Sequence, residues 1–161
     1  RKLDADYMLV IFGGLSHFSG DDISKFLWMV RIAAGVYPKI KEHDFYNNGH
    51  YRVDKGVSET MKNSLMYRLA YYRFGEMRTR GDRPSGYDTV RDCEIGLKEW
   101  DLKYFMEAYT SERWIVRIFK VLPLPHRDAR MDGRYKATST PPELPEGKFK
   151  VEDLFAVMPE I

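Results

Sequence analysis

Apolar residues near the start of the chain form two different patterns. Tyr7–Phe12 is a short, continuously apolar run followed by glycine, which is typical of a buried strand. After the glycine turn Gly13–Gly20, apolar residues recur at helical spacing from Asp21 or Asp22 to about Gly35. A short acidic side chain at this point can cap the free N–H groups of a helix. A strand, a glycine turn and a helix predict the first half of an α/β unit.

The predicted helix carries two stripes of side chains, because spacings of three and four residues place side chains on one face. The first stripe is apolar and should face the core; it consists of Ile23, Phe26, Leu27, Val30 and Ala34. The second stripe is narrower and combines an acid, a base and a thioether: Asp22, Lys25 and Met29. We call this second stripe the Asp-Lys-Met row.

A second helix is predicted over Ser58–Phe74. Ser58 suits an N-cap, and Gly75 suits a C-terminal stop. The core stripe recurs at four, four and three residues: Met61, Leu65, Leu69 and Tyr72, widened by Tyr67, Tyr71 and Phe74. Such a Met and Tyr stripe can line a ligand pocket, but packing in the core is the favoured interpretation.

Three shorter stretches complete the predicted elements. The Asn-Gly pair at 48–49 is a turn signal, which Tyr46 and Tyr51–Val53 can flank as a small exposed hairpin. Leu102–Tyr109 has apolar residues at helical spacing and predicts a short helix. Trp114–Leu122 is rich in β-branched and aromatic residues, which predicts a strand beside the first one, at the centre of the sheet.

The pattern therefore predicts an α/β fold in a single domain. Its mixed sheet includes Tyr7–Phe12 and Trp114–Leu122, and helices near 21–35 and 58–74 pack against it. Residues 87–100 mix polar and apolar positions and predict no particular element. From Pro123 onwards the chain is rich in proline, so residues 1–122 are predicted to form the globular core. Residues 123–161 are predicted to form an extended tail, packed on this core or trailing from it.

Composition narrows the classes of function. The chain has 161 residues, 43% hydrophobic, which suits a globular domain with a sizeable core. The net charge of +2 gives no general reason to expect nucleic acid as a partner. The single cysteine excludes a disulfide within the chain, and no apolar run approaches the ~20 residues of a membrane-spanning helix.

Standard catalytic patterns do not fit the sequence. The glycine turn is not followed by Lys-Ser or Lys-Thr, so it is no phosphate loop. His43, Asp44 and His50 lack the spacing of metal ligands and are interpreted as loop residues facing solvent. The basic loop over 76–87 is interpreted as solvated, with contact to an anion as the alternative. From these residues alone, the Asp-Lys-Met row would be a surface ion pair with a methionine at the core edge.

The surroundings of the row carry a resemblance to a known family. Asp22-x-x-Lys25-x-x-x-Met29 resembles the DK motif of oligosaccharyltransferase catalytic subunits, the membrane enzymes of asparagine-linked glycosylation. Four segments resemble the eukaryotic-type subunit in the same order: DADYMLVIFGG, DDISKFLWMVRI, NSLMYRLAYYRF and SERWIVRIFKV. The resemblance spans residues 3–122 and identifies the chain as similar to the soluble C-terminal domain on the lumenal side.

The resemblance implies a function in acceptor recognition. The family transfers an oligosaccharide from dolichol diphosphate to the asparagine of Asn-x-Ser/Thr. Its catalytic carboxylates and its Mn or Mg ion belong to the membrane part, so no catalytic residue, metal ligand or cofactor is expected in this chain. Asp22, Lys25 and Met29 are expected to bind the acceptor peptide beside a Trp-Trp-Asp motif, which reads the Ser or Thr hydroxyl. This motif does not occur among the 161 residues, so the isolated fragment is expected to be inactive.

The resemblance also implies partners and a location. The expected partners are the acceptor sequon, the membrane part of the same subunit, other oligosaccharyltransferase subunits and, through the missing part, the dolichol-linked oligosaccharide. The chain begins at Arg1 and is expected to be a piece of a longer multi-pass protein, with this domain in the lumen of the endoplasmic reticulum. The alternative is a non-enzymatic α/β binding or scaffold module whose helix matches the DK motif by chance.

Overall fold

The computed structural model describes residues 5–122, and the predicted tail over 123–161 lies outside the described residues. The described part contains one long helix, two short helices, a three-stranded sheet and two small hairpins. In chain order the elements are β1 (Tyr7–Ile11), α1 (Asp22–Val36), β2 (Tyr46–Asn47), β3 (His50–Tyr51), α2 (Glu59–Lys62), α3 (Leu65–Ala70), β4 (Tyr87–Asp88), β5 (Cys93–Glu94), β6 (Phe105–Thr110) and β7 (Val116–Val121). Single 3₁₀ turns lie at Glu42–Phe45 and Phe74–Glu76. No helix in the described part is long and apolar enough to cross a membrane.

The main sheet has three strands in the order β1-β7-β6. Leu9 of β1 lies opposite Ile118 of β7, and Ile118 also lies opposite Tyr109 of β6. Both neighbours of β7 run antiparallel to it. The predicted α/β class is therefore confirmed, as is the central place of the late strand. The sheet is antiparallel, however, where a mixed sheet was predicted.

The two faces of this sheet differ, which corrects the prediction that Tyr7–Phe12 is wholly buried. Val10 and Phe12 are buried, whereas Tyr7 and Leu9 are exposed. Successive side chains of a strand point to opposite faces, so only alternate residues of β1 enter the core. The run is continuously apolar although only one of its faces is covered by the rest of the described chain.

Residues 102–109 were predicted to be helical, and this prediction was wrong. Phe105–Thr110 forms β6 and pairs with β7. The pairing register shifts between Glu107 and Tyr109, where one extra residue sits in the strand. A bulge of this kind breaks the alternation of period two that identifies a strand. The apolar spacing of this stretch therefore matched a helix by coincidence.

The predicted helix over 58–74 is divided into α2 and α3. Ser58 caps α2 as predicted, because its hydroxyl accepts a hydrogen bond from Met61 N. A second serine, Ser64, caps α3 by accepting from Tyr67 N, and this new start rotates the apolar face. Leu65, predicted to be in the core, is consequently exposed, while Tyr67 is fully buried.

The prediction of a helix at α1 is confirmed, and so is the pairing of the first hairpin, although Tyr46 and Tyr51 are half-buried where an exposed hairpin was predicted. The helix runs over Asp22–Val36 and turns Ile23 and Val30 into the core, whereas the other residues of the predicted stripe are only half-buried: Phe26, Leu27 and Ala34. β2 and β3 flank the Asn-Gly turn as an antiparallel pair. Residues 87–100, for which the sequence predicted nothing, contain the second small hairpin, β4 and β5.

Aromatic rings from three elements meet at the centre of the core. Phe12, just after β1, makes edge-on contacts with Tyr71 and Phe74, with ring centroids 5.3 and 4.9 Å apart. Such pairs add roughly 0.5–1.5 kcal/mol each beyond the burial of their area. Phe12 thus fixes the end of β1, and with it the turn that leads into α1, against the body of the domain.

Candidate functional site

The site begins at the turn between β1 and α1. Asp21 is the N-cap of α1: its Oδ1 accepts hydrogen bonds from Ser24 N at 3.0 Å and Ser24 Oγ at 2.8 Å. Its Oδ2 accepts from Gly13 N at 3.1 Å. At Gly13 a Cβ would lie 1.8 Å from the carbonyl oxygen of Phe18, so only glycine allows the turn to close. One buried carboxylate therefore joins the start of the helix to the turn before it.

Asp22, the first residue of α1, is tied to the end of β1. Its Oδ2 accepts a hydrogen bond from Ile11 N at 2.8 Å. Its Oδ1 lies 3.9 Å from Lys25 Nζ, one helical turn further on. One Asp22 oxygen is thus held by β1, and the other faces the Lys25 ammonium. A carboxylate also suits the N-terminus of α1, which is the positive end of the helix dipole. The structure brings Asp22 and Lys25 together as the spacing predicted.

Lys25 and Met29 are open to solvent. The Lys25 side chain is 58% exposed, and Met29 is 51% exposed. Met29 also lines a groove of about 320 Å³ between α1 and the 39–45 segment, together with Phe26, Val30, Ala33, Ile40 and Phe45 among others. The Asp-Lys-Met row therefore joins a cationic group with free donors to the rim of a largely apolar groove.

A largely buried arginine from a distant part of the chain reaches the start of α1. Arg91 Nη2 donates to Asp21 Oδ1 at 2.5 Å and Arg91 Nη1 donates to Asp21 Oδ2 at 2.7 Å. Arg91 Nη2 also donates to Ser24 Oγ at 2.8 Å. Burial alone would raise the pKa of the Asp21 carboxyl, but the bonds and charge of Arg91 and the Ser24 donors outweigh it. The pKa of Asp21 therefore lies below its ordinary value.

Asp88 holds the other side of the same guanidinium. Its Oδ2 accepts from Arg91 Nη1 at 3.2 Å and from the Tyr71 hydroxyl at 2.6 Å. Its Oδ1 accepts from the backbone N–H groups of Val90 and Arg91. The Tyr71 hydroxyl is wholly buried and stays protonated, because burial raises its pKa well above the ordinary value. We call Asp21, Asp88 and Arg91 the arginine bridge.

Sequence reasoning identified the row but missed the arginine bridge. The Gly-Asp-Asp segment did indicate a cap at Asp21 or Asp22, and the structure assigns this role to Asp21. Arg91 lies 70 residues further along the chain, in the stretch for which no element was predicted. Nothing in the spacing of these residues signals that they meet.

The other candidate residues are accounted for individually. His43 and Asp44 are exposed neighbours, with Nε2 and Oδ1 3.2 Å apart. Within residues 5–122, no three His, Cys, Asp or Glu side chains are grouped closely enough to hold a metal ion. In the basic loop, Arg83 lies over the Tyr87 ring at 4.7 Å and Arg80 is exposed, while contact with an anion there stays a prediction.

Known proteins that the chain resembles are subunits of one kind of glycosyltransferase. No protein-family model matches the chain. Over 127 residues, 79% of its length, the chain is 58% identical to the dolichyl-diphosphooligosaccharide–protein glycosyltransferase subunit STT3 of Dictyostelium discoideum. Over 127 residues it is also 57% identical to subunit STT3B of Oryza sativa subsp. japonica, again 79% of the chain. Over 128 residues, 78% of the chain, it is 53% identical to subunit stt-3 of Caenorhabditis elegans.

The match covers only a small part of each relative. The matched segment makes up 18% of the Dictyostelium and rice subunits and 17% of the nematode subunit. The chain thus spans less than a fifth of the length of the curated relatives it matches. Identity at this level confirms the family resemblance that the sequence segments predicted.

Proposed function

Because the chain belongs to the family of oligosaccharyltransferase STT3 subunits, we propose that it works as one part of such a subunit. In this role it helps to hold the acceptor polypeptide during transfer of an oligosaccharide from dolichol diphosphate to Asn-x-Ser/Thr. The Asp-Lys-Met row contacts the acceptor near its Ser or Thr. The complete subunit would act on the lumenal side of the endoplasmic reticulum membrane, with further subunits of the complex.

The observation that carries this proposal is the contrast within the row. Asp22 is held by the backbone of Ile11, whereas the Lys25 ammonium has only a long contact of 3.9 Å to Asp22. Two of the three ammonium donors can therefore serve a bound peptide without breaking a strong ion pair. An exposed ion pair such as Asp22–Lys25 contributes only ~0.3–0.5 kcal/mol to the stability of the domain, so stabilisation alone explains little of its presence.

Recognition of a hydroxyl-bearing residue requires both polar and apolar contacts. A site discriminates small side chains poorly unless it pairs their hydroxyl and encloses their methyl group. The Lys25 stem can form an apolar wall while its ammonium orients neighbouring acceptors. Met29, at the rim of the groove, supplies a soft surface for the threonine methyl.

The catalytic step is assigned to other parts of the subunit. Catalytic carboxylates and a divalent Mn or Mg ion would come from outside this chain. The described residues offer no group of three metal-binding side chains, and we assign none of them to a metal. The role proposed for residues 5–122 is positioning of the acceptor, which changes affinity and alignment without adding a reacting group.

The experiment uses a chimera of the Dictyostelium subunit in which this chain replaces the matched segment. Transfer from a lipid-linked donor is measured while an Asn-x-Thr peptide is titrated. Lys25→Ala should raise the apparent KM for the peptide about fivefold, equivalent to ~1 kcal/mol, and leave the KM for the donor unchanged.

Lys103→Ala is the matched control, because Lys103 is an exposed lysine in the segment before β6, remote in sequence from the row. It should leave both constants unchanged. An unchanged acceptor KM in a folded Lys25→Ala chimera would contradict the proposal. That result would favour the alternative, a scaffold module in which the row is an ordinary surface ion pair.

A further inference from the structure

The arginine bridge is more elaborate than a helix cap requires. Asp21 alone already satisfies the N–H of Ser24 and so caps α1. Arg91 adds a guanidinium that is only 17% exposed, placed between two carboxylates that are fully buried. Burial of such charges costs desolvation energy, so a buried ion pair is weak grounds for inferring added stability. The arrangement therefore points to control of geometry.

The bridge joins separate parts of the chain at one point. Asp21 belongs to the start of α1 and binds Gly13 N in the glycine turn. Asp88 belongs to β4 and binds the Tyr71 hydroxyl just after α3. Arg91 pairs with both carboxylates, in a fork geometry that fixes direction as well as distance.

A second set of contacts supports the same junction. Thr89 donates to Gly14 O from both its backbone N and its Oγ1, each at 2.8 Å. The Thr89 carbonyl accepts from His17 Nδ1 at 2.7 Å. At Gly14 a Cβ would lie 3.0 Å from Asp88 Oδ2, so the turn passes directly against the bridge. The loop after β4 thus holds the glycine turn at Gly14 and His17.

The first turn of α1 follows directly from this anchored point. Asp22 is the neighbour of Asp21, and Lys25 is the neighbour of Ser24, which binds Arg91. A rotation of this turn would displace Asp22 and Lys25, two of the three residues of the row. We propose that Arg91 is a positioning residue for acceptor binding, acting through the first turn of α1 on Asp22 and Lys25. This inference rests on the proposed function of the row.

The test uses the same chimera and compares Arg91→Met with Lys25→Ala, alone and combined. Arg91→Met should raise the apparent acceptor KM by about the same factor as Lys25→Ala, with kcat changed less than twofold. Because Arg91 acts partly through Lys25, Arg91→Met should raise the acceptor KM by a smaller factor in the Lys25→Ala background than in wild type. Arg91→Lys keeps the charge but lacks the fork, and should lie between wild type and Arg91→Met.

Arg52→Met is the matched control, since among the described residues Arg52 donates its hydrogen bonds to Asp54, one of them at 2.5 Å, and none to α1. It should not change the acceptor KM. Should Arg91→Met fail to fold, Ser24→Ala removes one link between the guanidinium and the helix. It is expected to raise the acceptor KM by a smaller factor.

The outcomes separate the two proposals. A Lys25→Ala chimera with unchanged acceptor KM contradicts the proposed function of the row. If Lys25→Ala acts but a folded Arg91→Met does not, only the positioning role is overturned. A loss of kcat with constant KM, or full additivity with Lys25→Ala, would likewise overturn it, because either result indicates a structural effect alone.

Discussion

Arg117 and Glu107 form an ion pair on the inner face of the sheet, with Arg117 Nη2 2.8 Å from Glu107 Oε1. Arg117 is fully buried, and its Nη1 also donates to the carbonyl oxygens of Leu69 and Ala70. Its guanidinium carbon lies 4.3 Å from the centre of the Trp114 ring. One arginine of β7 thus connects the sheet to the end of α3.

Removal of Arg117 should strongly destabilise the domain. Arg117→Ala removes the ion pair with Glu107 and the donor to the Leu69 and Ala70 carbonyl oxygens, so we expect a loss of about 3–5 kcal/mol in the free energy of unfolding. Urea denaturation of the chain measures this loss. Lys120→Ala, on the same strand, is the control and should cost much less, because Lys120 is only half-buried. A loss below ~1 kcal/mol for Arg117→Ala would contradict the role of the pair.

The two faces of β7 should respond differently to truncation. Phe119 is fully buried beneath the sheet, so Phe119→Ala should cost about 3–5 kcal/mol through lost transfer energy and a cavity. Ile118 is half-buried on the other face, so Ile118→Ala should lower the free energy of unfolding clearly less than Phe119→Ala does. Urea denaturation of both variants gives the comparison, and equal losses would show that the faces are assigned wrongly.

The stabilising effect of Asp21 should depend on pH. Its folded pKa lies below the ordinary value of 3.8, so its contribution is fully present above that pH and is lost as pH falls through the folded pKa. Asp21→Asn should therefore be less stable than wild type at pH 7, and the difference should shrink below pH 3.8. Urea denaturation at a series of pH values measures it. A difference that stays constant down to pH 2 would contradict this account.

Loss of Arg91 should loosen the glycine turn locally. Gly13 N donates to Asp21, whose carboxylate Arg91 holds. In Arg91→Met, hydrogen exchange at Gly13 and Ser24 N should be faster, while exchange at Phe119 in the central strand should be unchanged. NMR-detected exchange gives these rates residue by residue. Unchanged protection at Gly13 would mean that the bridge does not hold the turn.

The sequence predicted best those elements whose pattern is local. The period of α1, its acidic start and the apolar runs of β1 and β7 follow from neighbouring residues, so their positions were predicted closely. The strand β6 was missed because its bulge near Glu107 disturbs the alternation of side chains. The break between α2 and α3 was missed because Ser64 sits in a continuous helical pattern and reveals itself as a cap only in three dimensions.

In the candidate site, too, the residues that are close in sequence were predicted and the contact between distant residues was not. Asp22, Lys25 and Met29 share one helix, so their spacing alone predicted a common row. Arg91 reaches the start of the same helix by its contact with Asp21, 70 residues earlier in the chain, which no local pattern contains. The burial of Arg117 was equally hidden, because an arginine in an apolar strand is more often expected on the exposed face.

The most direct test of the proposed acceptor contact compares two peptides that differ by one methyl group. In the chimera, kcat/KM is measured for matched Asn-x-Thr and Asn-x-Ser acceptors. Met29→Ala should lower the preference for Thr over Ser about fivefold, the effect of losing ~1 kcal/mol of contact with the methyl group. Ile32→Ala, which truncates another exposed apolar residue of α1, should leave the ratio unchanged. A Met29→Ala ratio equal to that of wild type, with the acceptor KM unchanged for both peptides, would contradict the account.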